Sequence, residues 1–278
     1  MPSYVPQLVA LDIGRSAVKA KSAQKEFLIE SYIADGIELR LHKTGPGEYI
    51  LEYPGQNKMF LGNLAHPDYG QGENSRKPMY LEKHHPDNLW LGLAALYEAG
   101  IRNGSVEIAI PIPYNRWLED KDQIKALFEG EHRFVMNGEE CRIFIDRVHL
   151  RLECAIAVYL LPEEAADQVV HILEVGERTS SWATFNPGFV LNERLSGTVD
   201  QGWGTISNKD PKSVINFLNA RAMSSWKQDD LVMVIGGVAE EIAPHMPFPP
   251  ENLIIPEKPR FANCRGIWEA VLTDEEAE

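Results

Sequence analysis

The run Leu8-Val-Ala-Leu-Asp-Ile13 is apolar at five of its six positions, and its length predicts a buried strand. After a short turn, Ser16–Ala20 reads as a second strand. From Glu26 to Tyr53 the pattern alternates loosely, broken by the turn signal Thr44-Gly-Pro-Gly47. Asn57–Ala65 reads as another short strand, and the polar, Gly- and Pro-containing stretch from His66 to Pro86 as a mobile loop. Helical spacing then begins. Leu89, Leu93 and Leu96 share a face, Asp87 is the expected N-cap and Gly100 the stop. Val106–Ile110 predicts a buried strand, followed by Pro111-Ile-Pro113 and a helix up to Gly130. Asn137-Gly138 predicts a two-residue hairpin, and Leu152–Leu161 a small buried helix.

From Gln168 the opening pattern returns. An apolar strand leads to Glu174-x-Gly176 and then to a second strand near Thr179. In both places the order is strand, acid-x-Gly, a basic residue with a hydroxyl (Arg15-Ser16; Arg178-Thr179), then strand. This is an internal repeat at a long interval, and it predicts two related α/β domains, each opening on a hairpin. Further on, Asn186-Pro-Gly188 reads as a turn, Phe189–Leu195 as a third strand and Ser213–Met223 as a helix. Leu231–Ile235 is a strand ending in Gly236-Gly237, followed by a helical segment. A C-terminal helix is expected from Phe261, with a frayed acidic end.

The chain has 278 residues, 44% of them hydrophobic, enough for one large or two modest cores. No apolar run reaches membrane-spanning length, and the opening residues lack the pattern of a secretory signal. The short acidic tail does not suit a membrane anchor. Cys141, Cys154 and Cys264 are odd in number and lack CxxC spacing, which predicts reduced thiols in a cytoplasmic protein. A net charge of −14 argues against direct DNA binding, so Arg147, Arg151, Lys258 and Arg260 read as solvated positions. His84-His85 reads as a solvated loop rather than a metal site, and Trp90, Leu93 and Tyr97 as core.

Asp-x-Gly alone is also what an ordinary turn uses, and Gly-Gly alone an ordinary helix start. Two glycine hairpins from duplicated domains would, however, grip phosphates with their backbone N–H groups. Asp12 and Glu174 would then hold a hydrated Mg²⁺, a cation that keeps several of its waters. Ser16, Thr179 and Lys19 would add donors and charge, and Gly236-Gly237 a bare surface for a nucleotide.

The order LDIG…EVGERTS…VIGG…ANCRG resembles the actin-like ATPases, in particular the bacterial plasmid-segregation branch of ParM and AlfA type. MFLGNLA and IAIPIPYN support the match, which runs from Val9 to Ala270. The resemblance implies a bilobed, duplicated ribonuclease-H-like α/β fold with nucleotide in the cleft. It implies lobe I over 1–152, with a C-terminal helix at about 265–278 returning to it, and lobe II over 153–264. The first phosphate loop would be Asp12, Gly14, Arg15, Ser16 and Lys19; the second Glu174, Gly176, Glu177, Arg178 and Thr179. Gly236, Gly237, Val238 and Glu240 would meet the adenosine, and Glu153 would orient the attacking water.

The implied activity is slow hydrolysis of ATP, with GTP as the alternative, dependent on Mg²⁺ and coupled to polymerisation. The implied partners are further copies of the chain and a DNA-binding adaptor of ParR type, with plasmid or other DNA as cargo. Two departures stand out: the second loop carries Glu174 where the family usually has Asp, and the run from Ser180 to Leu231 is short, leaving a reduced upper subdomain in lobe II. The alternatives are a weakly hydrolysing nucleotide-binding scaffold and a small-molecule kinase of the same superfold.

Overall fold

The computed structural model describes residues 7–78, 82–206 and 209–277. The opening residues, read above for a secretory signal, lie outside that range up to position 6, as do 79–81 of the stretch read as a mobile loop. The chain divides into two compact units. One comprises 1–110 and 119–150, the other 111–118 and 151–278.

The first unit contains strands β1 (Gln7–Ile13), β2 (Ala17–Ser22), β3 (Glu26–Glu30), β4 (Ile33–Asp35), β5 (Glu48–Glu52), β6 (Met59–Gly62) and β7 (Glu73–Arg76), with helix α1 (Pro86–Glu98). Strand β8 (Asn103–Ile112), helix α2 (Trp117–Phe128), β9 (Gly130–Met136) and β10 (Glu139–Leu152) complete its sheet and cover. The sheet order is β3-β2-β1-β8-β10-β9-β5-β6-β4-β7. β1 pairs antiparallel with β2 and parallel with β8, so both its edges are taken. Val9, Ala10 and Leu11 are fully buried, as expected of a strand covered on both faces. Asn137 adopts a positive φ at the β9–β10 turn, the backbone that an Asn-Gly hairpin needs.

The second unit holds β11 (Val170–Val175), β12 (Ser180–Asn186), β13 (Val190–Leu191), β14 (Gly197–Val199), α3 (Pro211–Arg221), β15 (Leu231–Ile235), α4 (Ala239–Ile242), β16 (Leu253–Ile254) and α5 (Ala262–Ala277). Its sheet order is β13-β12-β11-β15-β16, with β14 added to β12. The repeat is topological: β11, like β1, pairs antiparallel with the strand after it and parallel with a later strand. Side chains alternate across the strands. Leu173, Val175, Val232 and Val234 pack with α3 and α4 residues, while Val170, Ile172, Met233 and Ile235 pack with Cys154, Ala157 and Ala262. By the same alternation Glu174 belongs to the face that receives α5.

Several sequence expectations change. The cap of α1 is His85, whose Nδ1 accepts from Asp87 N at 3.2 Å, because Pro86 occupies the first helical position. Asp87 is instead buried and paired with Arg76. The stretch from His66 to Pro86 contributes β7, which pairs with β4. Leu152–Leu161 is not an α-helix. Glu153 and Cys154 form a corner, and Ala155–Leu160 is a 3-10 helix. Phe189–Leu195 forms only two strand residues before a 3-10 turn capped by Asn192. α5 continues to Ala277, where the sequence suggests fraying.

The sequence reading also sends the C-terminal helix to the first lobe. In the structure α5 belongs to the second unit and packs on Ala155–Leu160. Gly266 permits this, since a Cβ there would lie 2.8 Å from the Ile156 carbonyl carbon. Between Ser180 and Leu231, α3 is the one α-helix among the described residues.

Candidate functional site

The first hairpin places Asp12 at the end of β1, directly opposite Lys19 of β2. Asp12 is buried, and Lys19 Nζ donates to its Oδ2 at 3.0 Å. A second ammonium, Lys83 Nζ, lies 3.9 Å from Asp12 Oδ1 and donates to Ile13 O at 3.3 Å. Gly14 has no room for a side chain: a Cβ would sit 2.7 Å from Lys19 Nζ and 2.9 Å from Ala17 O. Arg15 and Ser16 complete the half-buried turn. Ser31 ties its carbonyls from behind, with Oγ donating to Gly14 O at 2.6 Å and N donating to Ser16 O at 3.1 Å.

The sequence pattern places Lys83 in a loop and gives no sign that its ammonium reaches this hairpin. Its backbone is anchored on both sides. Lys83 N donates to the fully buried Asp120 at 3.1 Å, and Asn88 Nδ2 donates to Lys83 O at 2.9 Å. His84 of the same turn pairs with Asp120 at 3.4 Å. The neighbouring histidines therefore serve the fold, one in this pair and the other as a helix cap.

The second hairpin places Glu174 near the end of β11, opposite Ser181 of β12. The directly opposed residue is thus a serine, where the first hairpin has a lysine. Asn263 of α5 faces the Glu174 carboxylate, with Nδ2 at 3.0 Å from Oε1 and 3.1 Å from Oε2. The turn closes by a hydrogen bond from Gly176 N to Thr179 O at 2.9 Å. Its carbonyls are also tied from behind: Trp203 N donates to Gly176 O at 2.9 Å and Gly204 N to Glu177 O at 2.7 Å. Gly202 lies against this turn, where a Cβ would meet Arg178 C at 2.7 Å and Thr179 N at 2.8 Å. In both hairpins, carbonyl oxygens at the tip are thus engaged by the surrounding protein, which lowers their repulsion of an approaching anion.

Glu153 lies at the corner after β10, and its N–H donates to Ile112 O at 2.7 Å. The next residue, Cys154, adopts φ +67, a left-handed backbone that is uncommon outside Gly and Asn. Its N–H donates to Asn263 Oδ1 at 3.0 Å. Its Sγ contacts Ile172 O at 3.4 Å and Ser181 O at 3.5 Å. Burial raises the Cys154 thiol pKa well above the ordinary range, and the nearby Glu174 and Glu153 carboxylates raise it further. Cys154 is therefore held as the neutral thiol, and Cys141 and Cys264 are likewise buried and outside any disulfide.

Gly236 adopts φ +99, and a Cβ there would lie 2.9 Å from Val175 O. Its N–H donates to Pro259 O at 3.0 Å. Gly237 is exposed, Val238 half-buried and Glu240 exposed on the short α4. Arg260 approaches Gly237, its Nε 3.7 Å from where a Cβ would be.

Among the described residues, no three His, Cys, Asp or Glu side chains group as a metal cage. Asp12 at the first hairpin and Glu174 at the second each present a carboxylate, a hard oxygen donor of the kind that holds Mg²⁺ through its water shell. No helix among the described residues is long and apolar enough to cross a membrane.

The family model described as the N-terminal domain of actin-like proteins matches residues 10–155. No curated protein sequence matches the chain. Among solved structures, the filament of AlfA from B. subtilis plasmid pLS32 is 18% identical, with 94% of this chain and 98% of that one covered and a TM-score of 0.75. A non-polymerisable quadruple mutant of pCBH ParM is 16% identical over 97% and 100% of the two chains, with a TM-score of 0.77. The archaeal actin homologue Ta0583, in complex with ADP, is 17% identical over 96% and 99%, with a TM-score of 0.72. At these identities the likeness is one of fold.

Proposed function

Since the chain belongs to the actin-like proteins that carry this N-terminal domain, we propose that it binds and slowly hydrolyses ATP and assembles into filaments in a nucleotide-dependent way. The observation that carries the reading is the repeated hairpin. Two acid-x-Gly tips lie on topologically equivalent strands, and both have carbonyls tied back by neighbouring residues. In this reading Gly14, Arg15 and Ser16 hold phosphate at the first hairpin. Gly176, Glu177, Arg178 and Thr179 do so at the second, and Gly236, Gly237, Val238 and Glu240 border the adenosine.

Phosphoryl transfer needs positioning and charge neutralisation more than covalent chemistry. Lys19 and Lys83 bring two ammonium groups to the first tip and offset the charge of Asp12 and of phosphate. Asp12 and Glu174 would hold Mg²⁺ through its waters, and the ion when bound would supply neutralisation of phosphate charge. Glu153 orients the attacking water and takes its proton.

The biological role proposed is segregation of plasmid or other DNA in the cytoplasm, reached through a DNA-binding adaptor of ParR type. The net charge of −14 supports an adaptor rather than direct contact. A second reading, a nucleotide-binding scaffold that barely hydrolyses, is favoured by one observation: Glu174 is already engaged by Asn263.

The test is titration of a fluorescent ATP analogue with competition by ATP and GTP, paired with a phosphate-release assay. The reading expects Mg²⁺-dependent binding displaced by ATP, with slow release. Binding without release selects the scaffold. No binding of either nucleotide removes both readings, and phosphate transfer to an added sugar would move the chain to the kinases.

A further inference from the structure

Glu174 carries one methylene more than the aspartate at the equivalent first-hairpin position, so its carboxylate has an extra torsion to lose before it can act at a defined point. The strand register places Ser181, not a lysine, opposite it. Its carboxylate accepts from Asn263, which is 3% exposed. The amide orientation follows from its partners. Cys154 N–H needs an acceptor, so Oδ1 faces it at 3.0 Å; Nδ2 then faces the carboxylate at 3.0 and 3.1 Å. The reverse flip would set an oxygen against the carboxylate and an NH₂ against an N–H.

The anchor behind this amide is firm. Asn263 lies in the first turn of α5, and α5 sits close on Ala155–Leu160 because Gly266 has no side chain. On its other side is Cys154, a non-glycine residue held at φ +67. A left-handed backbone at a non-glycine position persists only where its surroundings over-determine it. Asn263 is one of those surroundings, and it passes the constraint on to Glu174.

We propose that Asn263 is the positioning residue for Glu174: it compensates for the longer acid by holding the carboxylate at one place on the α5 face of β11. This rests on the reading of Glu174 as an acid that faces the water shell of Mg²⁺. Asn263 itself touches neither nucleotide nor metal in this account.

The test reads binding rather than turnover. The affinity of the full chain for a fluorescent ATP analogue is measured in EDTA and across a Mg²⁺ titration. Asn263→Ala is expected to raise the half-saturating Mg²⁺ concentration about tenfold, the scale of outer-shell substitutions at metal sites. Affinity in EDTA should hold to within about twofold, since Asn263 is not a nucleotide contact. In a Glu174→Ala background, Asn263→Ala should add nothing further.

A merely structural Asn263 would instead weaken binding equally with and without Mg²⁺, and this result overturns the inference. So does a wild-type-like Mg²⁺ response. A wild-type chain whose nucleotide affinity ignores Mg²⁺ overturns the reading beneath it as well. If Asn263→Ala does not fold, Asn263→Asp keeps the acceptor for Cys154 N–H and removes the donor to Glu174. Added negative charge alone would strengthen the Mg²⁺ response, so a weaker response marks lost positioning and a stronger or unchanged one contradicts the proposal.

Discussion

Lys19 Nζ donates to Asp12 Oδ2 at 3.0 Å across directly opposed positions of β1 and β2, with both side chains largely buried. Removing the ammonium breaks this 3.0 Å contact to a desolvated carboxylate, which Lys83 Nζ approaches only to 3.9 Å. Lys19→Met should therefore lower the unfolding free energy by about 2 kcal/mol in the absence of nucleotide. Urea denaturation checks this. An unchanged midpoint would mean that the pair contributes nothing to the fold.

Lys83 is anchored through its backbone by two buried side chains, so its ammonium is presented at low entropic cost. Lys83→Ala should weaken ATP binding roughly tenfold, the value of one charge-assisted contact. Isothermal titration with ATP measures it, and an affinity equal to wild type would remove Lys83 from the phosphate site.

Glu153 is assigned a role in hydrolysis but none in assembly. Glu153→Ala should slow phosphate release about a hundredfold while sedimentation of assembled protein is retained. Release at the wild-type rate would cancel the assignment.

His171 lies on the opposite face of β11 from Glu174, stacked on Trp226 with ring centroids 4.1 Å apart. Its Nε2 pairs with Asp230 Oδ2 and its Nδ1 with Thr184 Oγ1, both at 2.9 Å. Burial lowers its pKa below the ordinary 6.5, more than the Asp230 contact raises it. The folded chain therefore binds the His171 proton less readily than the unfolded chain. This contribution to stability is present above pH 6.5 and is lost as pH falls through the lowered folded value. His171→Gln should flatten the acid-side loss of stability relative to wild type. Equal slopes for the two proteins in urea denaturation between pH 7 and 5 (about the window of an ordinary histidine) would contradict the shift.

Local pattern carried the hairpins well. Val9–Leu11 and Ile172–Leu173 are apolar because their strands are covered on both faces, and Gly14 and Gly176 stand where chain must turn closely. The residues that complete the tips were not legible, because distance along the chain hides them. Lys83 is 70 residues from Ile13, and Asn263 is 89 from Glu174. Only the packing of α1 and α5 brings them home. The one available hint for Asn263 was its place in ANCRG, where Gly266 marks a close helix approach. Gly202-Trp203-Gly204 was likewise silent in the sequence, since two glycines in a loop do not announce what they must clear. The corner at Cys154 defeated the helical reading of Leu152–Leu161, because apolar composition carries no sign of a residue held at positive φ.

Nucleotide-driven assembly is read out by sedimentation of the purified chain with and without ATP and Mg²⁺. A pelleted fraction is expected with ATP above a sharp critical concentration, with filaments visible by electron microscopy, and protein left in the supernatant without nucleotide. A chain that stays in the supernatant at high concentration with ATP, GTP and their slowly hydrolysed analogues would contradict it.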